Sequence, residues 1–174
     1  MKYLLDGSST ERLLFRKIRE EDFDDWLPFH QDPATSRYWI SEKEDPETEC
    51  RQWYEKQFGR YVNDKGGMNA LVEKSSGKLI GHCGLLVQVV DSIEELEIAY
   101  SLLPQFWNRG YATEAALKCK EAAFAKQYAD SLISIVSLTN TPSANVACKL
   151  GMTIDRLTIY KGNEVHIFRV VRDN

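Results

Sequence analysis

The sequence predicts a mixed α/β fold on a largely antiparallel sheet, and three observations carry that prediction. Runs with strand character alternate with helical patterns along the 174 residues. Two pairs of runs, 68–72 with 79–90 and 152–160 with 164–171, are joined by short Gly-bearing segments and read as antiparallel hairpins. Between them, a strand over 94–103, a helix over 112–128 and a strand over 132–138 form a βαβ unit. Such a unit pairs its two strands in parallel through a right-handed crossover.

Each element has its own local reason. Residues 11–18, Glu-Arg-Leu-Leu-Phe-Arg-Lys-Ile, have strand character. Asp22 then caps a short helix holding Trp26 and Leu27 that ends near Pro28 or beyond. Residues 33–41 read as a loop with the aromatic pair Tyr38-Trp39, and 48–62 as a helix with Trp53 and Phe58 among its apolar positions. Asn63-Asp64-Lys65-Gly66-Gly67 is a turn, and Ser75-Ser76-Gly77-Lys78 closes the first hairpin. Pro104 stops the strand before it. The helix over 112–128 holds six alanines, with Ala112, Ala115, Ala116, Cys119 and Ala123 on one stripe. Ser143 to Leu150 reads as a helix closed by Gly151, and Lys161-Gly162-Asn163 turns the last hairpin.

Composition narrows the class. Hydrophobic residues make up 43% and charged residues 28%, as in ordinary globular chains, and the length suits one domain over 1–174. Apolar runs such as Leu85-Leu86-Val87 are far short of a membrane span, and the opening Met1-Lys2-Tyr3-Leu4-Leu5-Asp6 reaches an acid too soon for a signal peptide. The net charge of −4 argues against wrapping nucleic acid, which needs clustered positive charge. Cysteines 50, 83, 119 and 148 are at least 29 residues apart, so no metal-finger spacing exists, and reduced thiols in the cytoplasm are expected. His30, His82 and His166 are equally scattered, and no metal site is expected.

The chemistry concentrates in Pro104-Gln105-Phe106-Trp107-Asn108-Arg109-Gly110-Tyr111-Ala112-Thr113. Gly110 and Ala112 stand at the mouth of a helix, where small residues let a ligand reach the backbone. Free N–H groups and the helix dipole there suit a phosphate or pyrophosphate, and Arg109 adds charge. Neither GxxxxGK[ST] nor GxGxxG is present. On the turn alone, a tight βα connection that needs Gly for its own geometry explains the string equally well.

The wider string resembles the GNAT N-acetyltransferases. Glu97-Ile98-Ala99-Tyr100-Ser101-Leu102-Leu103-Pro104 followed by Phe106 to Ala115 carries the first motif. Asn140-Thr141-Pro142-Ser143, followed by Lys149-Leu150-Gly151-Met152, carries the second. Together with Glu11 to Arg16 and the acidic Glu21-Asp22, they look most like the RimJ/RimL branch, over roughly residues 11–171. The resemblance implies a sheet whose two parallel strands splay to bind acetyl-CoA. It implies that the pantetheine arm pairs with the backbone at Leu102 and Leu103. The pyrophosphate would lie on the turn of Asn108, Arg109, Gly110, Tyr111, Ala112 and Thr113, with Trp107 also in the cofactor-binding set and Asn140 and Ser143 facing the thioester end. A homodimer is the default assembly that the resemblance implies. Trp107 stands where many family members carry Gln or Arg; an aromatic residue there is common in the RimJ/RimL-like branch. The Tyr that many members place four residues before the late Gly is replaced by Ala147, so Ser143 becomes the expected hydroxyl donor and Cys148 a weaker candidate.

Acetyl transfer to a primary amine, on a protein N-terminus or a small molecule, needs a neutral amine. A lysine amine titrates near about 10.4 and an α-amine near about 8, so a general base helps both. Glu97 is the candidate base; a solvated strand carboxylate or an ion-pair partner is the alternative. An oxyanion is expected to meet the N–H of Leu102 or Leu103. The acceptor is expected between the 28–41 loop, the helix from 48 and the last hairpin, beside Tyr38, Trp39, Trp53 and Tyr54. Two rivals stay open: a covalent cysteine route, and a non-catalytic module that binds acyl-CoA or a protein on the same fold.

Overall fold

The computed structural model describes residues 1–172. Its strands are β1 (Leu13–Lys17), β2 (Gly66–Glu73), β3 (Leu79–Val90), β4 (Ile93–Leu102), β5 (Ser131–Ser137), β6 (Thr153–Tyr160) and β7 (Asn163–Val171). The helices are α1 (Phe23–Gln31), α2 (Pro33–Ser36), α3 (Pro46–Val62), α4 (Tyr111–Ala125) and α5 (Thr141–Lys149). The seven strands make one sheet in the order β1-β2-β3-β4-β5-β7-β6. Every neighbouring pair is antiparallel except β4 and β5, as the βαβ pattern predicts.

The two faces of the sheet are covered differently. Ala115, Ala116, Cys119 and Ala123 of α4 are fully buried against Ile98, Leu102 and Leu132. A stripe of such small side chains lets the helix lie close to the sheet. On the opposite face Trp26 of α1 and Cys50 and Tyr54 of α3 pack on Met68, Leu86 and Leu103. β4 alternates between the two, Leu96, Ile98 and Leu102 joining the first core and Ala99 and Leu103 lying against the second.

Several boundaries differ from the sequence reading, each for a local reason. Part of the 33–41 loop is helical: Asp32 accepts the Ala34 N–H at 2.9 Å and Pro33 supplies a preset first residue for α2. The same device starts α3 at Pro46, with Asp45 accepting the Thr48 N–H at 3.0 Å. Asp22 precedes α1 but does not cap it with its side chain. Its carboxylate turns back to Arg16 (2.6 and 2.7 Å) and to the Arg19 N–H (2.9 Å). Helix α4 stops at Ala125, because Gln127 adopts a left-handed φ of 53°. No helix among the described residues is long and apolar enough to cross a membrane.

Candidate active site

The two parallel strands meet at a single pair, Glu97 opposite Ile133, and diverge beyond it. The phase of the β3–β4 ladder says what faces the opening. The Leu103 N–H donates to the Ile80 carbonyl at 3.0 Å, so odd-numbered residues of β4 bond to β3. Ile98, Tyr100 and Leu102 therefore turn their backbone groups toward β5. The Ile98 carbonyl accepts the Ser134 hydroxyl (2.9 Å), and the Leu102 carbonyl accepts the Trp107 indole N–H (2.8 Å). That leaves the N–H and carbonyl of Tyr100 and the N–H of Leu102 turned to the gap, where an extended, amide-bearing ligand has backbone to pair with. Leu103, expected to share this role and to offer its N–H to an oxyanion, spends that N–H on Ile80 and does not line the cleft.

A cleft of about 770 Å³ runs through this gap. At one end lies the start of α4. Gly110 stands before the helix at φ +80°, a left-handed conformation that glycine adopts without penalty. The first backbone bond of the helix is Glu114 N–H to the Gly110 carbonyl (3.0 Å), so the N–H groups of Tyr111, Ala112 and Thr113 have no backbone acceptor. Asn108, Gly110, Tyr111, Ala112, Thr113 and Trp107 all line the cleft. Arg109 does not; its guanidinium lies 5.8 Å from the Phe106 ring centroid. The turn is held from outside by Arg12, whose Nη1 donates to the Arg109 carbonyl (2.9 Å). The Arg12 Nε and main-chain N–H meet the Glu114 carboxylate at 2.6 and 2.9 Å.

Midway, two groups stand on opposite faces of β4. Glu97 is only 8% exposed, accepts the Gln88 amide at 2.7 Å, and lines the cleft on the α3 side. Burial pushes its carboxyl up from the usual range, opposed by the Gln88 amide and the Ile135 N–H. Tyr100 lies on the α4 side. Its hydroxyl donates to the Ser143 carbonyl (2.8 Å) and accepts the Ser143 hydroxyl (3.1 Å), while Asn140 caps α5 by accepting the Ser143 N–H (3.1 Å). Burial holds the Tyr100 phenol well above its ordinary pKa, so it stays protonated. Sequence reasoning singled out Ser143 and missed Tyr100. The signal was the alternation of β4, which puts Glu97 and Tyr100 on opposite faces at one gap.

The far end is walled by α1, α2 and the segment after it, including Phe29, His30, Tyr38 and Trp39, and by Glu49 of α3. His30 Nδ1 lies 3.9 Å from Glu49, and burial lowers its pKa, which keeps the ring neutral near pH 7. Arg37 stacks on Tyr38 at 4.7 Å and donates to its hydroxyl. Trp53 and Tyr54 are absent from this wall. Tyr54 is buried in the core, and Trp53 packs on Trp26 and His82. Among the described residues the last hairpin lends no side chain to the cleft. Cys148, on α5, does not line it either, and Cys50, Cys83 and Cys119 are buried, so the cleft holds no thiol for a covalent route.

The family description "Acetyltransferase (GNAT) domain" matches residues 12–153. The chain belongs to this acetyltransferase family, and the splayed sheet and helix-mouth turn are the features expected of it. It is similar to the uncharacterized N-acetyltransferase YnaD of Bacillus subtilis (strain 168), 29% identical over 165 residues, covering 90% of this chain and 89% of that one. Its fold matches an acetyltransferase of Agrobacterium tumefaciens str. C58 with TM-score 0.80 at 24% identity, over 99% and 98% of the two chains. It also matches RimL, the ribosomal L7/L12 alpha-N-protein acetyltransferase solved with coenzyme A, with TM-score 0.76 at 12% identity, over 96% and 98%.

Proposed function

We propose that the chain moves the acetyl group of acetyl-CoA directly to a primary amine, within one ternary complex. The observation that carries this reading is the paired chemistry at the gap: a buried carboxyl on one face of β4 and a shared hydroxyl pair on the other. The free N–H groups of Tyr111, Ala112 and Thr113 fit a pyrophosphate, and the backbone of Tyr100 and Leu102 fits the amides of a pantetheine arm. Coenzyme A in the RimL structure supports the same ligand here. The cofactor would then lie on the α4 side, and the amine would arrive past His30, Trp39 and Glu49.

In the step itself, the amine nitrogen bonds to the thioester carbon as the carbon–sulfur bond breaks. Glu97 takes the proton leaving the amine, directly or through water, and Tyr100 with Ser143 returns a proton to the sulfur. A raised carboxyl pKa suits a base that must take a proton near neutral pH. Positioning of the two substrates supplies much of the acceleration. The RimL likeness favours a protein N-terminal amine as acceptor over a small-molecule amine, and an α-amine needs the lesser help from a base. We read the chain as one catalytic domain acting in the cytoplasm.

The missing late-helix Tyr favoured a non-catalytic module, but Tyr100 offers a hydroxyl from the strand instead. Calorimetric titration with acetyl-CoA, followed by CoA release in the presence of peptides and small amines, tests the reading. Micromolar binding with release is expected. Binding with no release from any amine would favour an acyl-CoA-binding module, and no binding to folded protein would favour a module that contacts another protein.

A further inference from the structure

Glu97 does not meet Gln88 by chance of rotamer. Gln88 lies opposite Glu95 in the β3–β4 ladder and Glu97 opposite Leu86, so Gln88 and Glu97 are diagonal neighbours on one sheet face. Gln88 Nε2 donates to Glu97 Oε2 at 2.7 Å. Its other amide atom, Oε1, accepts Arg60 Nη2 at 2.8 Å. Arg60, on α3, is fixed in turn: its Nη1 donates to the carbonyls of Val87 (3.0 Å) and Lys65 (3.2 Å).

We propose that Gln88, locked by Arg60, is a positioning residue that aims the Glu97 carboxylate into the cleft and sustains its charged form. The chemistry of the three groups dictates the direction. A guanidinium only donates, so the Gln88 oxygen must face Arg60 and the amide N–H must face Glu97. Without Arg60 the amide is free to flip and set its oxygen against the carboxylate. Arg60 therefore acts on Glu97 twice, through its charge and by fixing which end of Gln88 points there.

The relay counters an environment that favours the uncharged form of the base. Burial raises the Glu97 carboxyl, and the Gln88 hydrogen bond is the largest opposing influence, ahead of the Ile135 N–H of β5 and the charges of Arg60 and Lys161. Lys56 on α3 also faces Glu97, its own ammonium brought down to about 8 by burial first and then by Lys161 and Arg60. Tyr100 approaches from β4's other face with a neutral phenol. An active base needs both access and ionisation: β4 brings Glu97 to the cleft, and the relay aims its carboxylate and sustains its charge.

This inference rests on Glu97 being the base, and the test separates the two. Glu97→Gln, assayed for CoA release from acetyl-CoA with an N-terminal-serine peptide, a polyamine and an amino acid amide, examines the base alone. Gln88→Met keeps the side-chain length and removes the donor. Protein carrying carbon-labelled glutamate then reports the Glu97 carboxyl by NMR across pH, with no acceptor needed. In Gln88→Met the Glu97 titration should move to higher pH. Below neutrality its turnover should fall about tenfold to 100-fold, the value of one hydrogen bond to a charged group, and recover as pH rises. Arg60→Met should shift the titration the same way. Unchanged Glu97 titration in both folded variants would overturn the relay, as would an equal loss of turnover at every pH. Should Gln88→Met fail to fold, Arg60→Met carries the same test. Full turnover in Glu97→Gln would instead overturn the base.

Discussion

Replacing Glu97 by Gln keeps the size and hydrogen-bonding capacity of the side chain but removes its basicity. Loss of a general base costs roughly 100-fold to 10,000-fold in turnover. Acetyl-CoA affinity should stay unchanged, since Glu97 sits on the α3 side of β4 and the free α4 amides lie at the other end of the cleft. A fall in affinity by calorimetry would make Glu97 structural. Tyr100→Phe deletes one oxygen. Its removal takes the phenol acceptor from the Ser143 hydroxyl and the phenol donor from the Ser143 carbonyl. Turnover should drop roughly tenfold to 100-fold, less than for Glu97, because a thiolate leaves readily and Ser143 still carries a proton. Equal turnover in Tyr100→Phe and the parent protein would move the proton-donor role to Ser143 alone. Tyr100 was hidden from the sequence reading because the expected hydroxyl lay on a helix. The strand register that brings β4 under Asn140 and Ser143 is set by contacts between distant segments.

The turn before α4 shows what a sequence motif can and cannot fix. Gly110 is legible because no other residue holds φ +80° at the helix mouth without strain, and the string around it resembles a known family motif. A Cβ at Gly110 would come 3.4 Å from Arg12 Nη2, an ordinary contact, so Gly110→Val acts by straining the left-handed backbone of the turn. A strained turn would no longer hold the amides of Tyr111 and Ala112 in place for the anion. Losing two charge-assisted hydrogen bonds, each worth about tenfold, should weaken acetyl-CoA binding by about 100-fold with the fold retained. Calorimetry and a thermal melt on the same sample check both halves. Arg12 itself was not legible as part of this element. It lies almost a hundred residues earlier, and only the packing of β1 beside α4 brings it to the Arg109 carbonyl and Glu114. The same limit applies to Leu103. Its hydrophobicity and place in the string match those of Leu102, and only the phase of the β3–β4 ladder separates the residue that faces the gap from the one that does not.

At the scale of the whole molecule, the sheet must split to make a site and yet remain one body. The order of elements, the hairpins and the parallel unit were readable from periodicity and turn residues, while the number of β4–β5 pairs was not. Below the splay, α1 and α3 cover the sheet through an aromatic cluster whose centre is polar. His82 of β3 is fully buried, 4.3 Å from Trp26 and 4.6 Å from Trp53 between ring centroids, and neither ring nitrogen has a hydrogen-bond partner among the described residues. Burial drives its pKa down to about 3, with the charge of Asp22 opposing and that of Arg16 adding. The folded protein therefore holds His82 neutral, whereas the unfolded chain protonates it below about 6.5. The unfolded state binds the extra proton, so this residue's contribution is intact above about pH 6.5 and is lost as pH falls toward 3, at about 1.4 kcal/mol per pH unit. His82→Leu removes the titration and two unpaired nitrogens together, at a modest change in volume. Carboxylates other than Asp22, which feels the His82 charge, titrate alike in both proteins, so their difference reports chiefly the ring. Urea unfolding at pH 7 and pH 4.5 should show the variant gaining roughly 2–3 kcal/mol on the parent protein between the two conditions. A difference that stays constant with pH would mean that the folded protein accepts a proton on His82, and that the aromatic cluster under the splay opens to water.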